Sequence, residues 1–297
     1  MLGLGASVAI PAVLSGFENT KSIELDGTGD HVTTYADNSG DLIRILCGNA
    51  AGSAGSDSGF TISTWIHSDF ADSQVFMGCS VSDLTSIGIA ISNTNFSGIL
   101  RQITASIRYS SVYASGMASL VIAQYDSTGG GLGGNIRNVY DGSTKWVHFA
   151  ITMEKVGNSH TDYSIFKTFI NGTLATTTQS NATPHGQFLN NLGQANGTTS
   201  ELTMTNVGFI LGGGDTSVGA SSMAAGKVDE TSIWNTHLSN SEITDLYNSG
   251  VATDLSAHPK VSRLVNWWRF EGDTTDTQGN QDATAQGNPT FSTTTPS

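Results

Sequence analysis

Two periods of hydrophobic and polar residues divide the chain. From residue 22 to residue 211 short runs alternate apolar and polar side chains between clusters of Gly, Asn, Ser and Thr, the period of two expected of half-buried strands. Residues 60–66 (FTISTWI) alternate most cleanly, and 41–47, 74–79, 86–91, 103–109, 119–125 and 205–211 are further candidate strands. The runs 145–153 (KWVHFAITM) and 163–170 (YSIFKTFI) read as neighbours in the core. Trp146, Phe149 and Ile151 do not share one parity, so the first of these is either buried on both faces or bulged, and His148 in its middle reads as a hydrogen-bonded core residue.

The period changes to 3.6 once, within residues 226–250 (GKVDETSIWNTHLSNSEITDLYNSG). A strand over 227–234 leads into Ser239 and Glu242, which stand at capping-box spacing. Ile243, Leu246 and Tyr247 form an apolar stripe, and Gly250 supplies a left-handed stop. The pattern predicts one short capped helix near the C-terminal end of an otherwise all-β chain. Residues 179–204 lack a period and read as a long loop or hairpin excursion on a rim suited to a sugar or a neighbouring subunit. Residues 51–59 read as a flexible connection. The glycines of 126–134 lack the strand-to-helix context that phosphate binding needs.

Composition narrows the function classes. The 297 residues suit one large sandwich domain, with only 12% charged residues and 35 glycines to serve many turns. A formal charge of -13 would repel a phosphate backbone, so nucleic acid is not an expected partner. Cys47 and Cys79, the 2 cysteines, lack metal-ligand spacing and read as small buried hydrophobes, with a bridge between them left open. Asn171-Gly-Thr and Asn196-Gly-Thr mark exposed turns and matter as sequons only in a secreted eukaryotic protein.

Residues 1–17 carry no charge until Glu18. A signal peptide would want a basic start, and a membrane span would want about 20 apolar residues without Pro11 and the interspersed glycines. An extended arm that buries Leu2, Leu4, Val8, Ile10, Val13 and Leu14 against another protein is the favoured reading, because an apolar tail left in water promotes association. The expected organisation is an arm over 1–20 and a sandwich over 21–297 that includes a closing segment, 264–297.

Residues 226–250 resemble the closing segment of laminin-G-like, concanavalin A-like lectin/glucanase domains, with their D-E strand and L-S-x-x-E-I-x-x-L-Y helix. Residues 22–32 (SIELDGTGDHV) resemble that family's opening strand, 60–66 its F-T-I-S-x-W strand, and 145–153 with 166–174 its W-x-H-x-A strand and following N-G turn. Residues 264–281 (LVNWWRFEGDTTDTQGNQ) resemble a segment that often opens such domains, here closing the chain. The resemblance implies a concanavalin A-like jelly-roll β-sandwich of antiparallel sheets. Residues 1–32 are also similar to openings of virion structural proteins of marine bacteriophages, which implies a setting on a virus particle rather than a mechanism.

The glucanases of the family place catalytic carboxylates on one strand as E-x-D-x-x-E, so that alternation projects them into one cleft. Here Glu24 and Asp26 are followed by Gly29 in the acid's place. The series from Glu271 through Asp273 to Asp276 has Gly272 within it and turn-like surroundings. No catalytic residue is assigned, and a glucanase would have to lose activity on Glu271→Gln. Structural calcium is common in laminin-G-like domains and takes six to eight oxygens. Asp273, Asp276, Asn280 and Asp282 offer ligands on one loop and Asp229 another; the alternative is that they accept backbone amides and form Asx-turns. Trp267, Trp268 and Tyr113 are candidate sugar platforms, whereas Trp65, Trp146 and Trp234 sit in strand patterns and read as core.

The leading expectation is a noncatalytic virion surface subunit, a capsid decoration or tail-associated protein. It would dock on other virion proteins through its arm and form homo-oligomers, without membrane insertion. The alternative is a carbohydrate-binding module for host or surface glycans.

Overall fold

The computed structural model describes residues 16–33, 59–68, 74–81, 88–96, 100–111, 114–121, 144–155, 164–179, 207–212 and 223–297. Docking residues Leu2, Leu4, Val8, Ile10, Val13 and Leu14, the platform candidate Tyr113, Cys47, the candidate strand 41–47 and most of the excursion 179–204 lie outside these residues.

The described strands form two antiparallel sheets. The first is ordered β10 (Thr173–Gln179), β9 (Ser164–Ile170), β8 (Lys145–Lys155), β3 (Gly59–Ser68), β12 (Ala225–Trp234), β1 (Ser22–Asp26) and β15 (Thr290–Ser292). β13 (Leu264–Trp268) pairs with the second half of β12, beyond the end of β1. The second sheet is ordered β14 (Thr284–Gln286), β2 (His31–Thr33), β11 (Val207–Leu211), β4 (Gln74–Val81), β5 (Gly88–Phe96), β6 (Leu100–Ser111) and β7 (Ala114–Val121). The chain passes between the sheets repeatedly, from β1 to β2 to β3 to β4, as a jelly-roll sandwich requires. The all-β, antiparallel architecture with one short capped helix is therefore the one expected.

The sheets meet closely at Gly212, just after β11. Its φ of +84° is left-handed, and a side chain there would put its Cβ 2.2 Å from Leu25 Cδ1. The interior collects Ile23, Leu25, Val32, Met77 and Leu211, all buried.

The first sheet is covered on its other face too. Helix α1 (Asn240–Tyr247) and the following chain place Leu238, Ile243, Leu246, Leu255 and Leu264 in one cluster with Ala150, Phe169, Trp234 and Trp267. Double coverage explains why every residue of β12 from Val228 to Trp234 is buried, and likewise Val147 to Met153 of β8. β8 keeps an unbroken register with β3 and β9, so its mixed parity reflects burial on both faces and not a bulge. The capping box is present as read: Ser239 N–H donates to Glu242 Oε2 at 2.8 Å, and Glu242 N–H to Ser239 Oγ at 3.3 Å. The left-handed stop comes earlier than Gly250, at Asn248 and Ser249, with φ of 44° and 59°.

Candidate functional site

The closing segment is organised by one carboxylate. After β13 the chain turns and Asp276 returns to bridge Trp268. Asp276 is 2% exposed, and Oδ1 accepts from the amides of Trp267 (2.8 Å) and Gln278 (3.0 Å). Oδ2 accepts from Asn266 Nδ2 (2.7 Å) and the amides of Asn280 (3.0 Å) and Gln281 (3.0 Å). Five N–H donors use the lone pairs that a cation would need. Asp273 Oδ1 accepts the amide of Thr275, Asp282 Oδ1 accepts that of Asp276, and Asn280 Nδ2 donates to the Val265 carbonyl.

Asp229 lies elsewhere, with Asn19 Nδ2 donating to its Oδ2 at 3.0 Å. Among the described residues no three His, Cys, Asp or Glu side chains gather as a metal site. Asp229 is bonded to Asn19, whereas Asp276 and Asn280 are bonded to each other within the closing loop. The Asx-turn alternative describes the loop.

The tryptophan platform is also corrected. Trp267 is 2% and Trp268 0% exposed. Alternation sends the two rings to opposite faces of β13, and both faces are covered: Trp267 joins the cluster beneath α1, and Trp268 Nε1 donates to the Gln281 carbonyl at 2.9 Å. Neither ring is open to a sugar. Trp65 and Trp234 are core as expected, while Trp146 is half-buried.

A second polar centre forms where β12 breaks register with β3 between Asp229 and Ser232. Glu230 adopts φ of 46° in this bulge, which turns two neighbouring carboxylates toward the two ends of the chain. Asp229 meets Asn19, while Glu230 accepts Trp267 Nε1–H and pairs with Arg269 Nε at 3.3 Å. Burial, followed by the charge of Glu230, pushes Asp229 well above the carboxylate range. Burial pushes Glu230 up to about 7 against the opposing pull of Arg269. Raised carboxyls mark many catalytic acids, but these two are 0% and 5% exposed and their bonds run to the fold's own segments.

Arg269 links this centre to residues 17–20. Its guanidinium lies 4.5 Å from the Phe17 ring centre and 5.3 Å from that of Trp267, donates to the Glu18 carbonyl, and stands 3.6 Å from Glu271 Oε1. Glu271 also accepts the amide (2.9 Å) and hydroxyl (2.5 Å) of Thr20. The glucanase candidate Glu271 is thus engaged in holding the strap at residues 17–20, and among the described residues packing against the closing segment includes Phe17. Sequence reading missed Phe17, Asn19 and Arg269, because their partners stand more than 200 positions away in several cases, as for Asn19 and Asp229 at a separation of 210.

His148 is the buried, bonded residue expected. Its Nε2 lies 2.7 Å from Ser63 Oγ, and burial lowers its pKa to about 3. The pair is closed to solvent, at 1% and 4% exposure.

The open feature of this region is a polar cleft of about 480 Å³ between the β9–β10 turn and the C-terminal end of α1. Asn171 and Gly172 form one wall with φ of 49° and 69°, the left-handed pair of a tight hairpin. A Cβ on Gly172 would come 2.8 Å from Tyr247 Cβ, so glycine lets the turn lie flush on the helix. Thr244 Oγ1 donates to the Gly172 carbonyl at 2.8 Å, Asn171 Oδ1 accepts the His148 amide at 3.0 Å, and Tyr247 stacks on Trp65 at 5.7 Å. Sequence reading placed Tyr247 in the helix's apolar stripe and Asn171 in a turn, without showing that the two meet.

No protein-family model matches the chain, and no curated protein sequence does. Solved structures are similar at low identity. A Bacteroides ovatus protein assigned to carbohydrate binding is 12% identical with a TM-score of 0.47, over 93% of this chain and 60% of its own. The heptameric SAP-like pentraxin of Limulus polyphemus is 10% identical with a TM-score of 0.45, over 91% and 96%. The enzymatically active domain of tailspike protein 2 of bacteriophage CBA120 is 11% identical with a TM-score of 0.42, over 86% and 34%. The chain thus spans 60% of the first of these.

Proposed function

We propose that this chain is a noncatalytic surface subunit of a virus particle, a laminin-G-like sandwich attached to capsid or tail proteins by its N-terminal arm. The observation that supports this reading is the strap at residues 17–20. Asn19, Thr20 and the Glu18 carbonyl are each bonded to the β12 bulge or the closing segment, so residues 18–20 are tied to the sandwich at a fixed place. An apolar arm rooted in this way loses less entropy on docking than one that hangs from a free end. The similarity of residues 1–32 to bacteriophage structural proteins supplies the setting, and self-association by closed symmetry follows the general pattern for such subunits. Proteomics of purified particles tests the reading: the chain is expected among the virion proteins, and its absence from washed particles overturns the proposal.

A second reading, a carbohydrate-binding module, is favoured by the polar cleft between α1 and the β9–β10 turn, whose volume lies within the range of small-molecule sites. Glycan-array binding by the full chain distinguishes it, and the two readings are compatible on one particle.

A further inference from the structure

The cleft between the β9–β10 turn and α1 has a chemical bias that selects among ligands. Its helix wall ends in carbonyl groups that the helix itself leaves unpaired, and no basic side chain stands in the last turn to neutralise them. The Asn248 amide satisfies the Thr244 carbonyl, and Asp245 adds a full negative charge beside the rest. Among the described residues no Lys or Arg lines the cleft. The hydroxyl and amide side chains of the lining both donate and accept, so the acceptor-only carbonyls and the Asp245 carboxyl tip the balance toward a ligand that brings donors. The chain's overall charge of -13 reinforces the exclusion of anions.

The walls are also fixed before any ligand arrives. Asn171 and Gly172 hold left-handed backbone conformations set by the hairpin turn, and Asn248 and Ser249 hold theirs at the helix stop. Thr244 ties one wall to the other, and Trp65 backs the Tyr247 ring. Asp245, Asn248 and Ser249 nevertheless keep exposed side chains that make no hydrogen bond among the described residues. Rigid walls carrying uncommitted polar groups suit recognition of a ligand with several hydroxyls.

We infer that this cleft binds a neutral, hydroxyl-rich saccharide, with Asp245, Asn248 and Ser249 accepting its hydroxyl protons beside the Tyr247 ring edge. The site replaces the tryptophan platform and rests on the carbohydrate-binding reading, independently of any virion role.

The test applies the full chain to an array of neutral, sialylated and sulfated glycans, followed by calorimetry with the strongest neutral binder. The double variant Asp245→Ala, Ser249→Gly removes two of the acceptors at exposed positions, and glycine accepts the positive φ of Ser249. Its thermal midpoint is expected to match the parent, and its affinity to fall roughly tenfold or more, as loss of paired hydrogen bonds predicts. A blank array for the parent chain overturns the carbohydrate-binding reading together with the site. Parent-like affinity in the double variant overturns the site alone, and preference for sialylated or sulfated glycans overturns its acceptor-rich character.

Discussion

Asp276 concentrates more of the closing segment's order than any sequence pattern around it suggests. Five donors converge on its two oxygens, and three of them are backbone amides of the turn that follows. Hydrogen bonds to a charged acceptor contribute about 1.5–3 kcal/mol each when a partner is removed. Asp276→Asn puts an amide NH₂ against some of these donors, and it is expected to lower unfolding free energy by about 3 kcal/mol in urea titration. A loss under about 0.5 kcal/mol would show that the turn does not depend on the carboxylate. The same geometry predicts that chelator leaves the thermal midpoint of the parent chain unchanged, because five N–H donors already occupy the Asp276 oxygens. A drop on chelation would point to a cation held elsewhere.

The buried pair behaves differently from Asp276. Asp229 is raised by burial and by Glu230, and Glu230 is raised to about 7 by burial. A carboxyl with a higher pKa folded than unfolded binds its proton more tightly in the folded state. Its stabilising contribution is therefore complete below the unfolded value near 4.3 and is lost as pH rises toward about 7. Urea stability of the parent is expected to decline from about pH 5 to about pH 8, and Glu230→Gln to flatten much of that decline. An equally steep profile in the variant would assign the effect to other groups.

At the scale of elements, α1 shows what the sequence made legible. Ser239, Glu242 and the stripe of Ile243 and Leu246 predict a helix with one apolar face, and both apolar residues are buried on the first sheet. Ser239→Ala should cost about 1 kcal/mol through the lost cap, whereas Ile243→Ala should cost about 2–5 kcal/mol because the helix roofs a core. Similar costs for the two variants, measured by chemical denaturation, would mean that the helix is held by its cap rather than by packing. β3 and β8 were equally readable as strands from their apolar, aromatic and β-branched runs, although burial of successive residues leaves neither with a strict alternation. The adjacent Trp267 and Trp268 were not. Alternation separates their faces, but only the outer cluster under α1 and the turn at Gln281 decide that both faces are covered. The cleft was hidden for the same reason: its walls, Asn171 and Tyr247, are joined by packing between a hairpin and a helix, and no local pattern encodes that meeting.

At the scale of the molecule, residues 17–20 and the closing segment meet around the β12 bulge, and this makes the strap a part of the fold. Removing residues 1–15 leaves Phe17, Asn19 and Thr20 in place and is expected to change the thermal midpoint little. Removing residues 1–20 does much more. It takes the Phe17 ring from Arg269, the Thr20 donors from Glu271 and the Asn19 amide from Asp229, a carboxyl with 0% exposure. A cation–π contact contributes about 0.5–2 kcal/mol, and a buried polar group stripped of a partner costs about 1–3 kcal/mol. The longer truncation should therefore lose several kcal/mol, while the shorter one retains full stability and loses only whatever docking the arm provides. Comparison of the two truncations by thermal unfolding, and by rebinding to particles stripped of this chain, separates anchoring from folding. Equal midpoints for both would show that the strap merely rests on the closing segment. Undiminished rebinding by the shorter truncation would place particle attachment outside residues 1–15.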